Sequence, residues 1–458
     1  MAGPVSRDRS PKRAGHTATY GQCRLRRRVS AHTGYGGTPS TWRQARPHGL
    51  GCVHPARCVP SGGMTTDSIG TRVKACRERH GWTQAHLADL AGYTRTYIGH
   101  IEAGRRAVTA YDTLSRLAAA LRVDLSELRG QPPQPSGPAD MAAHVAVAGI
   151  RRALDGPDMP VSPRPLAELA HQVGRARAAH MACDWDGWAT LMPDLLAEVF
   201  AADSARPDDD TRETVVRACF TAAMTLKQAG HLDLAHRLCD RGTAAARLHE
   251  TASTKLLAAC AFASAQTSLA TGSRHAARTK AETAAQLISP EATTADGEAV
   301  ALYGMLLLHA GLSSAALGDH TAASEYMDLA DDVARHASGN HWALEFGPAN
   351  ARMWRMATVL DGPNPDRAVQ VGRSVDPRML SSLNRRTMWY MDMARGLHAQ
   401  GAYDRAVTSL LIATDMSPRA VRLHSPAMEI VAQMVRTAPR RTGHLATLAG
   451  RVGFDPGN

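Results

Sequence analysis

The stretch TQAHLADLAGYTRTYIGHIEAG, residues 83–104, decides the fold of the amino-terminal part of the chain. Thr83 and Thr94 each precede a run with helical spacing, and a threonine in that position caps the N-terminus of a helix. Gly92 lies between the two runs, where a glycine commonly ends a helix in the left-handed conformation. The stretch therefore predicts a helix, a tight turn and a second helix.

The second of these helices has one apolar and one polar face. Ile98 and Ile101 are spaced i, i+3 and form the side that packs into a core. Arg95, Thr96 and His100 then lie on the opposite, exposed side, which we call the recognition face. A second helix that follows a short turn in this way is the geometry that enters the major groove of DNA.

Three further helices are predicted around this pair, in SIGTRVKACRERHG (68–81), YDTLSRLAAALRV (111–123) and LSELRG (125–130). The whole segment resembles the phage-repressor (Xre/Cro) helix-turn-helix family. The resemblance rests on the phrases W-T-Q-x-x-L-A-x-x-A-G, I-x-x-I-E-x-G and L-x-x-L-A-x-A-L-x-V in combination. It implies a five-helix, lambda-repressor-like domain over residues 64–130 that binds a double-stranded DNA operator.

The resemblance also implies roles for individual residues. It places Arg95, Thr96 and His100 at base edges, where arginine suits guanine O6 and N7. It makes Gln84 a phosphate contact that also braces the recognition helix. Further contacts to the DNA backbone are expected from Thr83, Tyr93, Tyr97, Arg105 and Arg106. Glu102 is expected to form a structural ion pair instead, since a carboxylate near phosphate is repelled. Gly99 departs from a good helix sequence, since glycine costs ~1 kcal/mol relative to alanine.

The charge is divided unevenly along the chain. The 458 residues carry a net charge of +11. Residues 1–63 hold eleven Arg/Lys and one acid, residues 64–130 hold ten and seven, and residues 131–458 hold 32 and 34. The large carboxy-terminal part is therefore not a nucleic-acid surface by charge, whereas the small helical domain is compatible with one.

Residues 1–63 are rich in Gly, Pro and Arg without sustained periodicity and are predicted to be a disordered basic extension. Two interpretations stand. The segment is either an arm that contacts DNA phosphates or, as we expect, the product of a mis-assigned start, with translation beginning at Met64.

Residues 131–139, QPPQPSGPA, are predicted to be a proline-rich linker between domains. Residues 140–458 read as successive helices. Within them, residues 387–418 resemble the tetratricopeptide repeat in their small residues, their turn glycine Gly401 and their closing Pro418. Weaker copies align on the same turn over residues 228–242, 269–284 and 315–330, and alanines recur along the chain at Ala235, Ala277, Ala323, Ala368 and Ala406. The predicted fold class is all-α, with a right-handed tetratricopeptide-like α-solenoid after the DNA-binding domain; an irregular helical bundle is the alternative.

Such repeats form a concave wall that suits a peptide or a small amphipathic ligand. The residues expected to line this groove are Phe220, Met224, Phe262, Gln266, His309, Asn350, Arg352, Asp392 and Arg395. Asn350 and Arg352 stand among the aromatic residues Trp342, Phe346 and Trp354, for which the alternative is ordinary inter-repeat core.

The architecture resembles that of bacterial transcriptional regulators whose repeat domain senses a peptide or mediates dimerisation. We therefore expect a cytoplasmic, homodimeric DNA-binding regulator. The alternative is a protein-interaction scaffold whose helix-turn-helix is vestigial or contacts protein.

Several other classes of function are not expected. No metalloprotease, phosphate-loop, serine-hydrolase or paired-carboxylate motif occurs, so no catalytic residue and no enzymatic activity are expected. The eight cysteines show no C-x-x-C pair, and neither a metal site nor a cofactor is expected. The most apolar segment, residues 299–318, is predicted to be a buried helix and not a membrane span.

Overall fold

The described part of the chain is entirely helical, and the predicted five-helix domain is confirmed. The computed structural model describes residues 68–133, 138–156, 159–249, 253–292, 296–362, 364–438 and 443–454. Within these residues the amino-terminal helices are α1 (Ile69–Arg79), α2 (Gln84–Ala91), α3 (Arg95–Glu102), α4 (Tyr111–Leu121) and α5 (Leu125–Arg129). The predicted extension 1–63 and the alternative start at Met64 lie outside the described residues.

Local side-chain chemistry sets the ends of the central helices, as predicted. The Thr83 hydroxyl accepts a hydrogen bond from the His86 amide at 3.2 Å at the start of α2. Thr94 accepts one from the Tyr97 amide at 3.2 Å at the start of α3. Between them Gly92 adopts φ 72°, a left-handed conformation that glycine reaches without steric cost. The α2–turn–α3 unit is thus specified locally.

The rest of the chain forms a helical array of sixteen α-helices among the described residues. Their bounds are α6 Pro138–Asp155, α7 Leu166–Met181, α8 Trp185–Ala205, α9 Asp209–Gln228, α10 Leu232–Leu248, α11 Thr254–Ala270, α12 Arg274–Ile288, α13 Gly297–Ala316, α14 His320–Ala334, α15 Pro348–Leu360, α16 Ala368–Arg373, α17 Leu383–Ala399, α18 Tyr403–Met416, α19 Pro418–Leu423, α20 Ser425–Thr437 and α21 Gly443–Arg451. Because α6 begins at Pro138, the first helix starts inside the segment predicted as the 131–139 linker.

The array is arranged as an inner and an outer layer of helices. The odd-numbered helices α7 to α17 pack on one another in sequence, and each is joined to an outer neighbour along the chain. The inner layer returns on itself, since α17 also packs against α7. At this closure Asn384 Nδ2 donates to His180 Nε2 at 3.2 Å, and Arg419 lies 3.6 Å from Asp186.

The apolar segment predicted to be a core helix is α13. Among the described residues it is the helix long and apolar enough to cross a membrane, and 89% of its apolar window is buried inside the protein. Its neighbours supply an aromatic core in which Phe262 lies 5.9 Å from the His309 ring and 6.4 Å from the Trp354 ring. The segment is therefore an interior helix of the array.

The helix-turn-helix domain packs closely against the array. The domain and the array lie in the same compact unit. Leu269, Ala277 and Ala316 of the array belong to the same apolar cluster as the core of the domain. The Tyr111 hydroxyl donates to the Leu269 carbonyl at 2.5 Å, and the Ile69 amide donates to Glu429 Oε1 at 2.5 Å.

One buried ion-pair network crosses this boundary. Arg395 donates to Asp392 at 3.0 Å and to Asp361 at 3.1 Å, and it also donates to the Thr109 carbonyl at 3.0 Å. The amide of Tyr111 donates to Asp361 at 3.3 Å. The segment between α3 and α4 is therefore held by charged side chains of the array.

Candidate nucleic-acid interface

The recognition face is exposed to solvent, while the opposite side of α3 is buried. Ile98 and Ile101 are completely inaccessible, as their spacing predicts. Arg95, Thr96 and His100 are all exposed. The structure thus gathers the three predicted base-reading side chains on one outward face, and their contact with bases stays a prediction.

A buried pair of charges braces α3 from below. Arg77 of α1 donates to both carboxylate oxygens of Glu102, at 2.6 and 2.9 Å, and a third bond from Arg77 reaches the Trp82 carbonyl at 2.7 Å. The Glu102 side chain is only 3% exposed, and its hydrogen bonds raise the pKa of Arg77. The expected structural ion pair of Glu102 is confirmed. A bidentate Arg–carboxylate pair of this kind fixes orientation as well as distance.

Gln84 completes this bracing. Its Nε2 donates to Glu102 Oε2 at 2.9 Å, which ties the start of α2 to the end of α3. Its Oε1 lies where a Cβ added to Gly99 would meet it at 3.5 Å, an ordinary contact distance. The bracing role of Gln84 is therefore present in the fold, and its phosphate contact remains a prediction.

The flank of the recognition helix carries stacked aromatic and cationic groups. Tyr93 and Tyr97 stack with their ring centroids 4.6 Å apart, and the Arg106 guanidinium lies 4.8 Å from the centre of the Tyr97 ring. Both tyrosines are half-buried, whereas Thr83, Arg105 and Arg106 are exposed. Cation–π stacking of this type orders an arginine without neutralising it.

The sign of the charge on this surface favours an anionic partner. Between residues 93 and 108 the basic side chains are Arg95, Arg105 and Arg106, all exposed. The one carboxylate in that segment, Glu102, is buried against Arg77. The surface next to α3 is therefore positive although the domain as a whole carries both signs.

Comparison with known proteins agrees with this geometry. Residues 68–130 match the helix-turn-helix domain family, over the same five helices. No curated protein matches the chain significantly. The chain therefore contains a helix-turn-helix domain, which supports a DNA-binding regulator, and the match does not extend to the array.

The predicted ligand groove is only partly present. Met224 and Gln266 line a cavity of about 340 Å³, which we call the central cavity; it lies between the helix-turn-helix domain and the inner helices α7, α9, α11 and α17. The other seven predicted groove residues do not line it. Phe220, Phe262 and His309 belong instead to the aromatic core, which corrects the groove prediction, because inner helices of a closed ring bury their apolar side chains against one another.

The four remaining groove residues have other positions. Asp392 and Arg395 form the ion-pair network described above. Asn350 is buried, with its Nδ2 donating to the Leu344 carbonyl at 2.8 Å. Arg352 is exposed and borders a separate surface pocket between residues 339 and 381. In the sequence these four polar residues suggest anchors for a ligand. In the structure their side chains make ion pairs or hydrogen bonds to groups of the protein itself.

Several residues of the central cavity were not predicted. Tyr111, Arg129 and Gln131 come from the helix-turn-helix side, and Lys227 and Arg385 come from inner helices. A signal for Lys227 existed, since it is one of only five lysines in the chain and follows an otherwise apolar run in α9. Arg385 carried no comparable signal, because it stands beside Arg386 in a polar helix start.

Two further observations concern metal-ligating side chains and thiols. There, no group of three or more His, Cys, Asp or Glu side chains is placed to hold a metal ion. Cys219 and Cys260 are buried, and burial raises the pKa of both thiols, to about 12 for Cys260. Such thiols are protonated and poorly nucleophilic at neutral pH.

Proposed function

We propose that this protein is a sequence-specific transcriptional regulator of the bacterial cytoplasm that binds a double-stranded DNA operator through α3. The observation that supports this best is the recognition face itself, with three exposed polar side chains on a helix held by buried isoleucines and by the Arg77–Glu102 pair. A helix braced in this way presents its side chains at fixed positions, which reading of base edges requires.

The proposal includes a division of labour within the domain. Arg95, Thr96 and His100 read bases, whereas Arg105 and Arg106 contact phosphates and add affinity without sequence choice. The stacking of Arg106 on Tyr97 supports this, since it directs the guanidinium along the flank of α3. Thr83, Gln84 and Tyr93 complete the backbone contacts.

Binding to DNA is tested by fluorescence anisotropy on the protein's own upstream region and on random DNA. Arg95→Ala is expected to cost ~1–3 kcal/mol on the operator and to relax one base position, with little effect on random DNA. Arg106→Ala serves as the matched arginine and is expected to weaken both complexes alike. If Arg95→Ala weakens both complexes equally, Arg95 is a phosphate contact and the assignment is wrong.

We further propose that the protein acts as a homodimer, because one helix-turn-helix reads only a half-site. The molar mass measured by light scattering, with and without an operator carrying two half-sites about one DNA turn apart, tests this. A 1:1 complex of one chain with the full operator would contradict it.

The array is proposed to be tetratricopeptide-like and to sense a peptide or a small ligand. In support, the turn glycines Gly230, Gly272 and Gly318 have φ values of 85°, 96° and 81°. The repeated alanines are almost completely inaccessible: Ala235, Ala277, Ala323, Ala368 and Ala406. No catalytic activity is proposed, on the strength of the motifs the sequence lacks.

A further inference from the structure

The central cavity is bounded by both parts of the protein. Inner helices form its wall, and Tyr111, Arg129 and Gln131 close it from the helix-turn-helix side. Its volume of about 340 Å³ falls in the range of sites for small organic molecules. An occupant that fills the cavity therefore contacts the DNA-binding domain and the array at once.

Three cations line this cavity without an ion pair. Arg129, Lys227 and Arg385 have no carboxylate within 4.0 Å among the described residues. Lys227 Nζ donates to Gln266 Oε1 at 2.8 Å, and Arg129 Nη1 donates to the Ala270 carbonyl at 3.1 Å. The Arg385 guanidinium makes no hydrogen bond within the described residues. Most of the donor capacity of these groups is thus left for something in the cavity.

The surroundings of these three half-buried cations disfavour their charged forms. Burial, together with the charges of Arg385 and Arg129, lowers the pKa of Lys227 to about 8. Burial likewise lowers the pKa of Arg129 and of Arg385. Buried charges are ordinarily paired, because an unpaired one loses its hydration without compensation.

The carboxylates of the cavity wall have partners elsewhere. Asp361 accepts from Arg395 and from the Tyr111 amide. Glu345 Oε2 accepts from the Ser381 hydroxyl at 2.7 Å and from the Ser382 amide at 3.0 Å. The wall histidines contribute no charge, because burial lowers the pKa of His180 to about 4 and that of His424 to about 3. Three cations thus face the cavity against the carboxylates of Glu345 and Asp361, which act on Arg385 and Arg129 from beyond 4.0 Å, so the net charge of the wall is positive.

The backbone beside the cavity is strained. Trp342, Ala343 and Glu345 have φ values of 56°, 58° and 51°, in a region that residues with side chains rarely occupy. Ala343 and Glu345 both border the cavity. Strain of this kind persists where the surrounding structure holds it, and it clusters at ligand sites.

We propose that the central cavity binds a small organic anion, a carboxylate or a phosphate ester on a compact apolar body, between Arg129, Lys227 and Arg385. The apolar body is accommodated by Met224, Leu269 and Met388, which share the wall. This inference deepens the proposed sensing function and rests on it for its biological meaning. Of the two ligand classes proposed above, a peptide and a small molecule, it selects the small molecule, because a cavity of this volume does not hold an extended peptide.

Regulation follows from the position of Arg129. This residue ends α5 of the DNA-binding domain, so an anion that pairs with it joins the domain to the array. A ligand that prefers the joined state increases the population of that state by its difference in affinity.

Binding is tested on the full chain without DNA. The probes are 4-phenylbutyrate with its neutral partner 4-phenylbutyramide, and 1-naphthyl phosphate with 1-naphthol, each at millimolar concentration and matched ionic strength. At least one anion is expected to raise the Tm and to show binding by calorimetry, while its neutral partner does neither. Binding of 4-phenylbutyrate would identify a carboxylate head group, and binding of 1-naphthyl phosphate a phosphate ester. If neither anion exceeds its neutral partner, the inference is wrong.

The site is located with two variants and a matched control. Arg385→Gln and Lys227→Met are expected to weaken binding of the anion at least tenfold, whereas Arg386→Gln, next along α17 but outside the cavity, retains it. Without ligand, both cavity variants are expected to have a Tm at least equal to that of the natural protein, because each removes a half-buried charge that has no ion-pair partner. Equal binding by Arg385→Gln and the natural protein, or a lower Tm of both ligand-free variants, would overturn the assignment.

The ligand assignment and the proposed DNA-binding function can be refuted independently of each other. Loss of the anion effect with intact operator binding contradicts only the ligand assignment. Anion binding without any operator binding contradicts only the proposed regulator.

Discussion

Replacing Arg395 with methionine is expected to lower the free energy of unfolding by about 3–5 kcal/mol, because it leaves the buried Asp392 and the half-buried Asp361 without their cation. Arg395 is 9% exposed, and its three bonds of 3.0–3.1 Å reach Asp392, Asp361 and the Thr109 carbonyl. Methionine fills a similar volume, so the loss reflects the charges and not a cavity.

The pH dependence of this loss follows from Asp392. Burial already raises the pKa of Asp392, while Arg395 opposes the rise. In the variant the opposition disappears, so Asp392 takes up a proton more readily. When the pKa of an acid is raised in the folded state, the protein loses stability as the pH increases, because the unfolded chain releases the proton at a lower pH than the folded chain does. Arg395→Met is therefore expected to cost more at pH 8 than at pH 5.

Chemical denaturation of the single and double variants measures both effects. Adding Asp392→Asn to Arg395→Met is expected to recover about 1–3 kcal/mol, a coupling that isolates the buried pair. The control is Arg378→Ala, since Arg378 pairs with Asp376 at the surface with its side chain 89% exposed, and its loss is expected to cost below about 1 kcal/mol. A loss from Arg395→Met no greater than that of the control, or purely additive losses in the double variant, would refute the reasoning.

Three further changes test separate features. Gly99→Ala is expected to raise stability by up to ~1 kcal/mol, since the new methyl lies 3.5 Å from Gln84 Oε1, and thermal melting checks this; a lower Tm would show that the contact is too tight. Tyr111→Phe is expected to cost about 0.5–1.5 kcal/mol in urea denaturation, since the Leu269 carbonyl loses the hydroxyl donor and keeps only the Gly272 amide; an unchanged midpoint would contradict that bond. Acidification below pH 6.5 is expected to destabilise the protein steeply. Four histidines stay neutral in the folded state but take up protons in the unfolded chain, and each lowers the free energy of unfolding by up to ~1.4 kcal/mol per pH unit. These have pKa values lowered by burial to about 4 (His180, His231) and about 3 (His309, His424). His309→Leu should reduce the slope of stability against pH by about one proton, and an unchanged slope would assign acid sensitivity elsewhere.

The sequence alone was sufficient for the helix-turn-helix unit because its signals are local. Thr83, Thr94 and Gly92 act within a few residues of themselves, and Ile98 and Ile101 define the buried side by their spacing alone. The exposed position of Arg95 follows from the same spacing. The helical character of the array was predictable for the same reason.

Only the tertiary structure decided what the polar residues of the array do. On an inner helix, a groove residue and a core residue have the same spacing, so Phe262 and His309 could not be told from Met224 before the ring of helices was seen to close. Arg129, Lys227 and Arg385 lie far apart in the chain and meet because α5, α9 and α17 surround one cavity. Periodicity records which side of a helix is apolar, whereas the partner of a buried charge depends on which distant helix packs against it.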